Sequence, residues 1–265
     1  GIQGVLSSEA SIAEITIADR EGVWLRIRDA SIDWSRSTLL LRQRLQIERL
    51  AAESIEVTRR PLPEEGLPSP EARSFAIPEL PIAVNLEELE VPSVSFGETV
   101  FGLESELSVE GRLRLEERSI DTALEIVRLD GPGGQLSLNV AFDNETESLD
   151  LDFVVSEPEN GVLANLLDIE GRPPLSLTLA GSGPIETLDL SLALAAAGEP
   201  ALSGTARFRQ QQAGLGFTVD LGGPIQRLIP TRFRGFFGDE SSLQASGVAG
   251  TGGGLVLDTF SLSSA

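Results

Sequence analysis

The sequence lacks five residue types: it contains no Cys, His, Met, Tyr or Lys, and all 20 of its basic residues are Arg. Without Cys no disulfide can form, and without Cys and His an ordinary zinc site is excluded. Most general bases and activated nucleophiles are His, Cys, Lys or Tyr, so only Asp, Glu, Ser, Thr and Arg are left. A hydrolase with two carboxylates is the remaining enzymatic alternative. We predict that the chain is not an enzyme and has no catalytic residue, metal ion or cofactor.

Positive charge is scarce after residue 60. Residues 1–60 contain nine Arg and nine acidic residues, whereas residues 61–265 contain 11 Arg and 32 acidic residues and carry the whole net charge of −21. An acidic surface repels nucleic acid, so no nucleic-acid partner is expected. The simplest interpretation is a solvated surface. Alternatively, the acidic part stands away from a membrane and the neutral part lies near one.

Long hydrophobic runs are also absent. No run reaches 18 apolar residues, so no segment is expected to span a bilayer. No basic region precedes an apolar stretch, so no signal peptide is predicted. The chain starts at Gly1 rather than Met, which predicts a piece of a longer protein.

The sequence is rich in β alternation. Successive side chains of a strand point to opposite faces, so apolar residues at every second position form one apolar face. This face must be covered by a second sheet, a helix or a ligand with a long hydrocarbon chain, and the period alone does not separate a closed sandwich from an open groove. The residues that we assign to the face are Val23, Leu25, Ile27, Leu136, Leu138, Val140, Phe142, Leu149, Leu151, Phe153, Leu175, Leu177, Leu179, Leu188, Leu190, Leu192, Leu215, Phe217 and Val219.

The alternation predicts an all-β chain with a long, curled and mostly antiparallel sheet. Intervals of roughly 8–14 residues, with Gly, Asn and Asp between them, are typical of hairpins. We predict turns at Asp143–Asn144, Gly133–Gly134 and Gly252–Gly254. Strands are predicted at 11–17, 22–27, 30–34, 44–50, 54–58, 84–90, 92–96, 103–115, 120–129, 135–142, 148–156, 175–180, 186–195, 202–209, 214–221, 242–248 and 254–262.

Three segments have a period nearer to 3.6 residues than to 2. We predict a helical turn at 38–41 and one or two short helices at 159–167 and 224–237. Six prolines lie between Pro61 and Pro81, and proline removes a hydrogen-bond donor from a sheet. The predicted domains are therefore an N-terminal β module at 1–60, a Pro-rich linker at 61–82 and an elongated β-groove segment at 83–265.

The stretch from Ile12 to Arg60 carries more specific motifs. They include Gly22-Val23-Trp24-Leu25, Ile32-Asp33-Trp34 and Ile47-Glu48-Arg49-Leu50. These motifs resemble the start of the periplasmic region of the TamB family, the inner-membrane subunits of the translocation and assembly module. Residues 161–179 and 233–240 are also similar to that family.

The resemblance implies an AsmA-like, bridge-type lipid-transfer protein in the periplasm of a Gram-negative bacterium. Its sheet is expected to fold into a taco-like hydrophobic groove, in which the residues of the apolar face contact phospholipid acyl chains. The resemblance implies that family members are anchored in the inner membrane by an N-terminal helix and bind an outer-membrane barrel subunit through a C-terminal region, and we expect both regions to lie outside this sequence. A second implied role is the assembly of outer-membrane proteins and autotransporters, whose strands would pair with an exposed edge such as 202–208.

Two further groups of residues have alternative roles. Arg42, Arg44 and Arg49 suit phosphate head groups, although ion pairs with Glu48 and Glu53 are the simpler interpretation. Each Trp is expected to pack on a neighbouring strand or, alternatively, to contact lipid. The first Trp follows the polar alternation of its strand, so we expect it outside the apolar face.

Overall fold

The computed structural model describes residues 2–3, 8–42, 44–62, 83–116, 118–131, 133–211, 214–235, 237–250 and 254–264. Most of these residues lie in strands, and the helices are short, so the predicted all-β class is confirmed. The strands are β1 Ile2–Gln3, β2 Glu9–Asp19, β3 Gly22–Ser35, β4 Arg44–Ala51, β5 Ser54–Val57, β6 Ala83–Phe96, β7 Ser105–Leu115, β8 Ser119–Arg128, β9 Gln135–Asp143, β10 Ser148–Glu157, β11 Leu175–Pro184, β12 Asp189–Ala196, β13 Glu199–Gln211, β14 Gly214–Gly223, β15 Ser241–Gly250 and β16 Leu255–Ser264.

Short helices form at the predicted non-alternating segments. They are α1 Arg36–Arg42, α3 Val162–Leu166 and α4 Thr231–Arg234, and the segment 224–237 also contains a 3₁₀ turn at Ile225–Arg227. A second 3₁₀ turn, Ile185–Thr187, was not predicted, because the strand predicted at 186–195 begins only at Asp189. A further short helix, α2 Glu98–Phe101, was not predicted, because four residues are too few to display a helical period.

Two long strands each unite a pair of predicted strands. In β3 the join is at Asp29, which has a φ of 47° and lies where the partner of β3 changes from β5 to β4. In β6 the join is at Pro92, inside a register shift between Val91 and Val94. A bulge tolerates the missing N–H of proline and shifts the alternation by one residue, which explains why the sequence pattern splits there.

The chain divides into two units. Among the described residues, unit 1 contains 2–62 and 83–139, and unit 2 contains 140–264, so that β9 contributes to both. The predicted linker at 61–82 lies outside the described residues except for Pro61 and Leu62. The predicted domain boundaries therefore stay predictions.

Unit 1 has the strand order β1-β2-β3-β4-β6-β7-β8, and β5 continues the line of β4 between β3 and β6. All of these pairs are antiparallel except those of β4 and β5 with β6. Its core contains the buried residues Ala52, Val91 and Val94, against which half-buried apolar residues of β3, β5, β6 and β7 pack.

Unit 2 is an antiparallel meander in which each strand from β10 to β16 pairs with the next in the chain. At its first turn, the Asp143 carboxylate accepts hydrogen bonds of 2.8 Å from the backbone N–H groups of Glu145 and Thr146, which confirms the turn predicted at Asp143–Asn144. Gly133 and Gly134 of unit 1 have φ values of 94° and 144° in the turn predicted there. The predicted turn at 252–254 lies outside the described residues except for its last position.

Candidate functional site

The register of unit 2 aligns the predicted apolar residues in rows. Residues paired directly across neighbouring strands carry their side chains on the same face of the sheet. One row crosses the sheet from β10 to β16 and consists of Phe153, Leu179, Leu192, Gly204, Leu221, Leu243 and Leu262. The last four residues of this row were not in the predicted set, although its three leucines follow the same alternation as the others.

Neighbouring rows lie on the same face. Leu190 of β12 begins a second row, which continues through Ala206, Val219, Ala245 and Phe260. A third row contains Phe208, Phe217, Gly247 and Leu257. Unit 2 therefore has one continuous apolar face, which we call the apolar face.

The predicted residues of unit 1 also meet apolar partners. Leu25 pairs with Ile17 of β2 and Val57 of β5. Ile27 pairs with Ile15 of β2 and Ile55 of β5. Val23 lies beyond a register shift in β2 and is 42% exposed. On β9, Leu136 and Leu138 are half-buried.

The predicted residues are only partly covered. Phe142, Leu175 and Leu188 are buried, with exposed fractions of 6%, 2% and 3%, while every other predicted residue is half-buried or, for Val23, exposed. Among the described residues no large side chain is fully buried. Two sheets packed face to face would bury such residues almost completely. The partial exposure favours an open apolar face over a closed sandwich core within each unit.

Two glycines of unit 2 lie where neighbouring atoms approach the strand closely. A Cβ atom on Gly204 would lie 1.9 Å from the Asp220 carbonyl oxygen, and one on Gly247 would lie 2.8 Å from the Phe217 ring. Neighbouring backbone and side chains therefore occupy the space in front of these glycines, which a larger residue could not share.

Helical segments close one end of the apolar face in unit 2. The connection through α3 and the connection that contains the 3₁₀ turn at Ile225–Arg227 lie at the same end of the meander. Leu163 and Leu228 of these connections pack on a buried cluster, whose members are at most 4% exposed: Ala164, Ile169, Leu175, Ala196 and Ala201.

Two carboxylates hold these connections in place by accepting hydrogen bonds from backbone N–H groups. The Glu157 carboxylate accepts a 2.7 Å hydrogen bond from the Leu163 N–H at the start of α3. The Glu170 carboxylate accepts a hydrogen bond from the Thr231 N–H, which lowers the pKa of Glu170. The second bond joins the α3 connection to the α4 connection, so the two connections cover the sheet end together.

The opposite face of unit 1 carries ion pairs. Arg26 lies 3.0 Å from Glu56, and Arg44 lies 3.3 Å from Glu116. Arg49 binds Glu90, which raises the pKa of Arg49. The predicted phosphate ligands Arg44 and Arg49 are thus paired with acids, although not with the expected Glu48 and Glu53, and the side chain of Arg42 lies outside the described residues.

The two tryptophans lie on different faces. Trp24 alternates with Leu25 on β3 and so shares the polar face of Arg26. Trp34 pairs with Ile47 on the apolar side of unit 1. Both are half-buried.

None of the described helices combines the length and apolar character that crossing a membrane requires. Within the described ranges, no three acidic side chains converge in a way that would hold a metal ion. Comparison with protein-family models, with curated proteins and with solved structures gives no match. The resemblance to the TamB family therefore stays a prediction from its sequence motifs.

Proposed function

We propose that this chain is a periplasmic segment of a bridge between the inner and outer membranes of a Gram-negative bacterium, and that it shields phospholipid acyl chains along its apolar face. The observation that carries the proposal is the half-exposed, Leu-rich surface that crosses unit 2 from β10 to β16. The other parts of the proposal depend on the resemblance of the motifs between Ile12 and Arg60 to the TamB family. These parts are the inner-membrane anchor of the full-length protein, the outer-membrane barrel partner and a role in outer-membrane biogenesis.

The chemistry of the apolar face suits acyl chains. Burial of apolar surface is worth about 25 cal/mol per Å², so a chain lying along several rows is held without any hydrogen bond. A leucine surface offers no directional partner, so it accepts chains of different length and lets them slide. Because the surrounding protein is acidic, the phosphate head group would stay in solvent.

A second candidate function is the assembly of outer-membrane β-proteins by strand pairing. The edge predicted at 202–208 is wrong, because these residues belong to β13, which is paired with β12 and β14 on its two sides. Among the described strands of unit 2, β16 pairs with β15 alone, and all of its residues are exposed, including Phe260 at 65% and Val256 at 62%. Such a strand offers backbone groups to a client strand.

Site-specific photo-crosslinking in cells tests both functions. A photoreactive residue is placed at Leu192 on the apolar face, at Ser191 on the opposite face of the same strand, and at Thr259 on β16. Lipid crosslinks from Leu192, with none from Ser191, are expected if the face carries acyl chains. Equal lipid crosslinking at Leu192 and Ser191 would contradict the lipid function. Protein crosslinks from Thr259, without lipid at Leu192, would favour strand pairing.

A further inference from the structure

The most exposed large apolar side chain among the described residues belongs to α1. Leu41, near the end of this helix, is 83% exposed, whereas the next in order, Phe260, is 65% exposed. Single exposed leucines occur on any protein surface and need no partner. Leu41 differs from these because it ends the run Leu39-Leu40-Leu41 in the connection between two strands. Such a connection can bring apolar side chains into contact with an apolar phase.

The helix stands at an end of the sheet in unit 1. α1 connects β3 to β4, and the outermost described pair of these two strands is Ser35 with Gln46. The Thr38 N–H donates to Ser35 Oγ at 3.4 Å, and the two hydroxyl oxygens lie 2.8 Å apart, so Ser35 caps the helix. α1 is therefore a fixed helical turn beyond the paired strands, and Leu41 lies near its far end.

The charge of the sequence around α1 differs from that of the rest of the chain. Residues 34–47 contain three Arg and no acidic residue, in a chain of net charge −21. At the start of α1, acidic residues line a cavity of about 400 Å³, namely Glu9, Asp33 and Glu48. Leu41 is not among the described residues that line this cavity, and it lies about 8 Å from the start of the helix. The leucine is thus separated from the acidic end of α1.

Arg44, three positions after Leu41, can bind a phosphate group despite its ion pair. Its guanidinium lies 3.3 Å from Glu116, and both side chains are exposed. An ion pair in solvent contributes little free energy, so a phosphate can replace the carboxylate at little cost. The planar fork of donors in arginine matches phosphate well. An apolar tip beside an arginine suits the interface of a phospholipid bilayer, where head-group phosphates lie above the acyl chains.

The net charge of the whole chain does not prevent such a contact. Salt screens exposed charges beyond about 8 Å at physiological ionic strength, so the charges close to the bilayer surface decide whether the protein binds. The acidic excess lies in residues 61–265, whereas residues 1–60 are neutral.

We propose that α1 docks unit 1 on the surface of a bilayer that contains anionic phospholipid, with Leu41 entering the interface and Arg44 binding a phosphate group. This inference goes beyond the proposed function, which concerns acyl chains on the apolar face of unit 2. The two contacts use different residues, so one can fail without the other.

Vesicle flotation of the whole chain tests the apolar contact, with vesicles of phosphatidylcholine and phosphatidylglycerol in equal parts. Leu41→Gln removes the apolar side chain and keeps the helix propensity, since leucine and glutamine rank alike. The matched control is Leu166→Gln, which changes an exposed leucine of the short helix α3. We expect Leu41→Gln to lower the partition coefficient about 5- to 10-fold and Leu166→Gln to leave it unchanged. Thermal melts verify that both variants keep the fold.

A second pair of variants tests the head-group contact. Arg44→Gln and the control Arg112→Gln each remove an exposed arginine of unit 1 that pairs with an acid; Arg112 lies 2.8 Å from Asp121. We expect Arg44→Gln to lower the partition coefficient about 3- to 5-fold and Arg112→Gln to leave it unchanged. Equal effects of the two variants would refute a head-group contact at Arg44.

The outcomes separate docking through α1 from the proposed function. If the wild type does not float with the vesicles, or if Leu41→Gln floats as the wild type does, docking through α1 is refuted. Leu190→Arg, which places a charge on the apolar face of unit 2, should float normally. If Leu190→Arg abolishes flotation while Leu41→Gln keeps it, the vesicles bind through the apolar face and not through α1. Flotation that depends on Leu41, in a protein that purifies without lipid, would support docking and contradict the proposed function alone.

Discussion

At the scale of single residues, Asp19 at the end of β2 combines an ion pair with several hydrogen bonds. Its carboxylate binds the Arg59 guanidinium, with one bond of 2.7 Å, and accepts backbone N–H bonds of 3.0 Å from Leu62 and 2.9 Å from Glu21. The hydrogen bonds from Arg59 and the backbone hold the pKa of Asp19 far below its usual value. The pair joins the turn between β2 and β3 to the chain that follows β5.

This pair makes a prediction about pH. A carboxyl whose pKa is lowered by folding contributes stability above its unfolded pKa of about 3.8 and loses it as the pH falls toward the folded value. Asp19→Asn should therefore lower the melting temperature at pH 7, and the difference from wild type should shrink below about pH 4. Melting curves at pH 7, 5 and 3 measure this, with Asp150→Asn, an exposed residue of β10, as the control. A difference that stays constant down to pH 3 would rule out the ion pair as its source.

This pair could not be predicted from the sequence. Asp19 and Arg59 are 40 positions apart, and no periodicity links them. The sequence also did not predict that the buried Ser241 hydroxyl has no hydrogen-bond partner among the described residues, because serine alternates with apolar residues throughout the chain. Contacts of this kind depend on the strand register, which the alternation does not determine.

At the scale of elements, the glycines inside strands differ in how much space the neighbouring strand leaves for a side chain. Gly204 of β13 lies within the longest apolar row, and a Cβ there would lie 1.9 Å from a carbonyl oxygen of β14. Gly222 of β14 has room, since the nearest atom to a Cβ there is 3.6 Å away.

We predict that Gly204→Ala destabilises the protein by about 1–3 kcal/mol, because the strands must move apart. The matched variant Gly222→Ala should change stability by no more than about 0.5 kcal/mol, since the added methyl group meets no close atom. Urea unfolding of both variants measures the difference. If the two substitutions changed the free energy of unfolding equally, the close approach of the Asp220 carbonyl oxygen to Gly204 would not limit which residues β13 accepts there.

Most elements could be predicted from the alternation and its interruptions. The helical segments at 159–167 and 224–237 were predicted from apolar spacing, and both contain short helices. Two strands were wrongly divided, at Asp29 and at Pro92, where a bend or a bulge shifts the alternation without ending the strand. Residue types alone do not distinguish such a shift from a turn.

At the scale of the whole molecule, the sequence predicts which residues share a face but not what covers that face. A closed core and a lipid surface need the same leucines at the same period. The structure favours an open face within each unit, because Leu190 and Leu192 in the middle of the meander are only half-buried. The bridge, its membranes and its partners depend on the motifs between Ile12 and Arg60.

The central claim is that the apolar face holds acyl chains, and native mass spectrometry of the purified chain, with extraction and identification of bound molecules, tests it most directly. We predict co-purified phospholipid in the wild type and in Ser191→Arg, and its loss in Leu190→Arg, which places a charge on the apolar face of the same strand. A wild-type mass without lipid, together with a cooperative melt, would contradict the claim and indicate that the apolar residues serve only the fold.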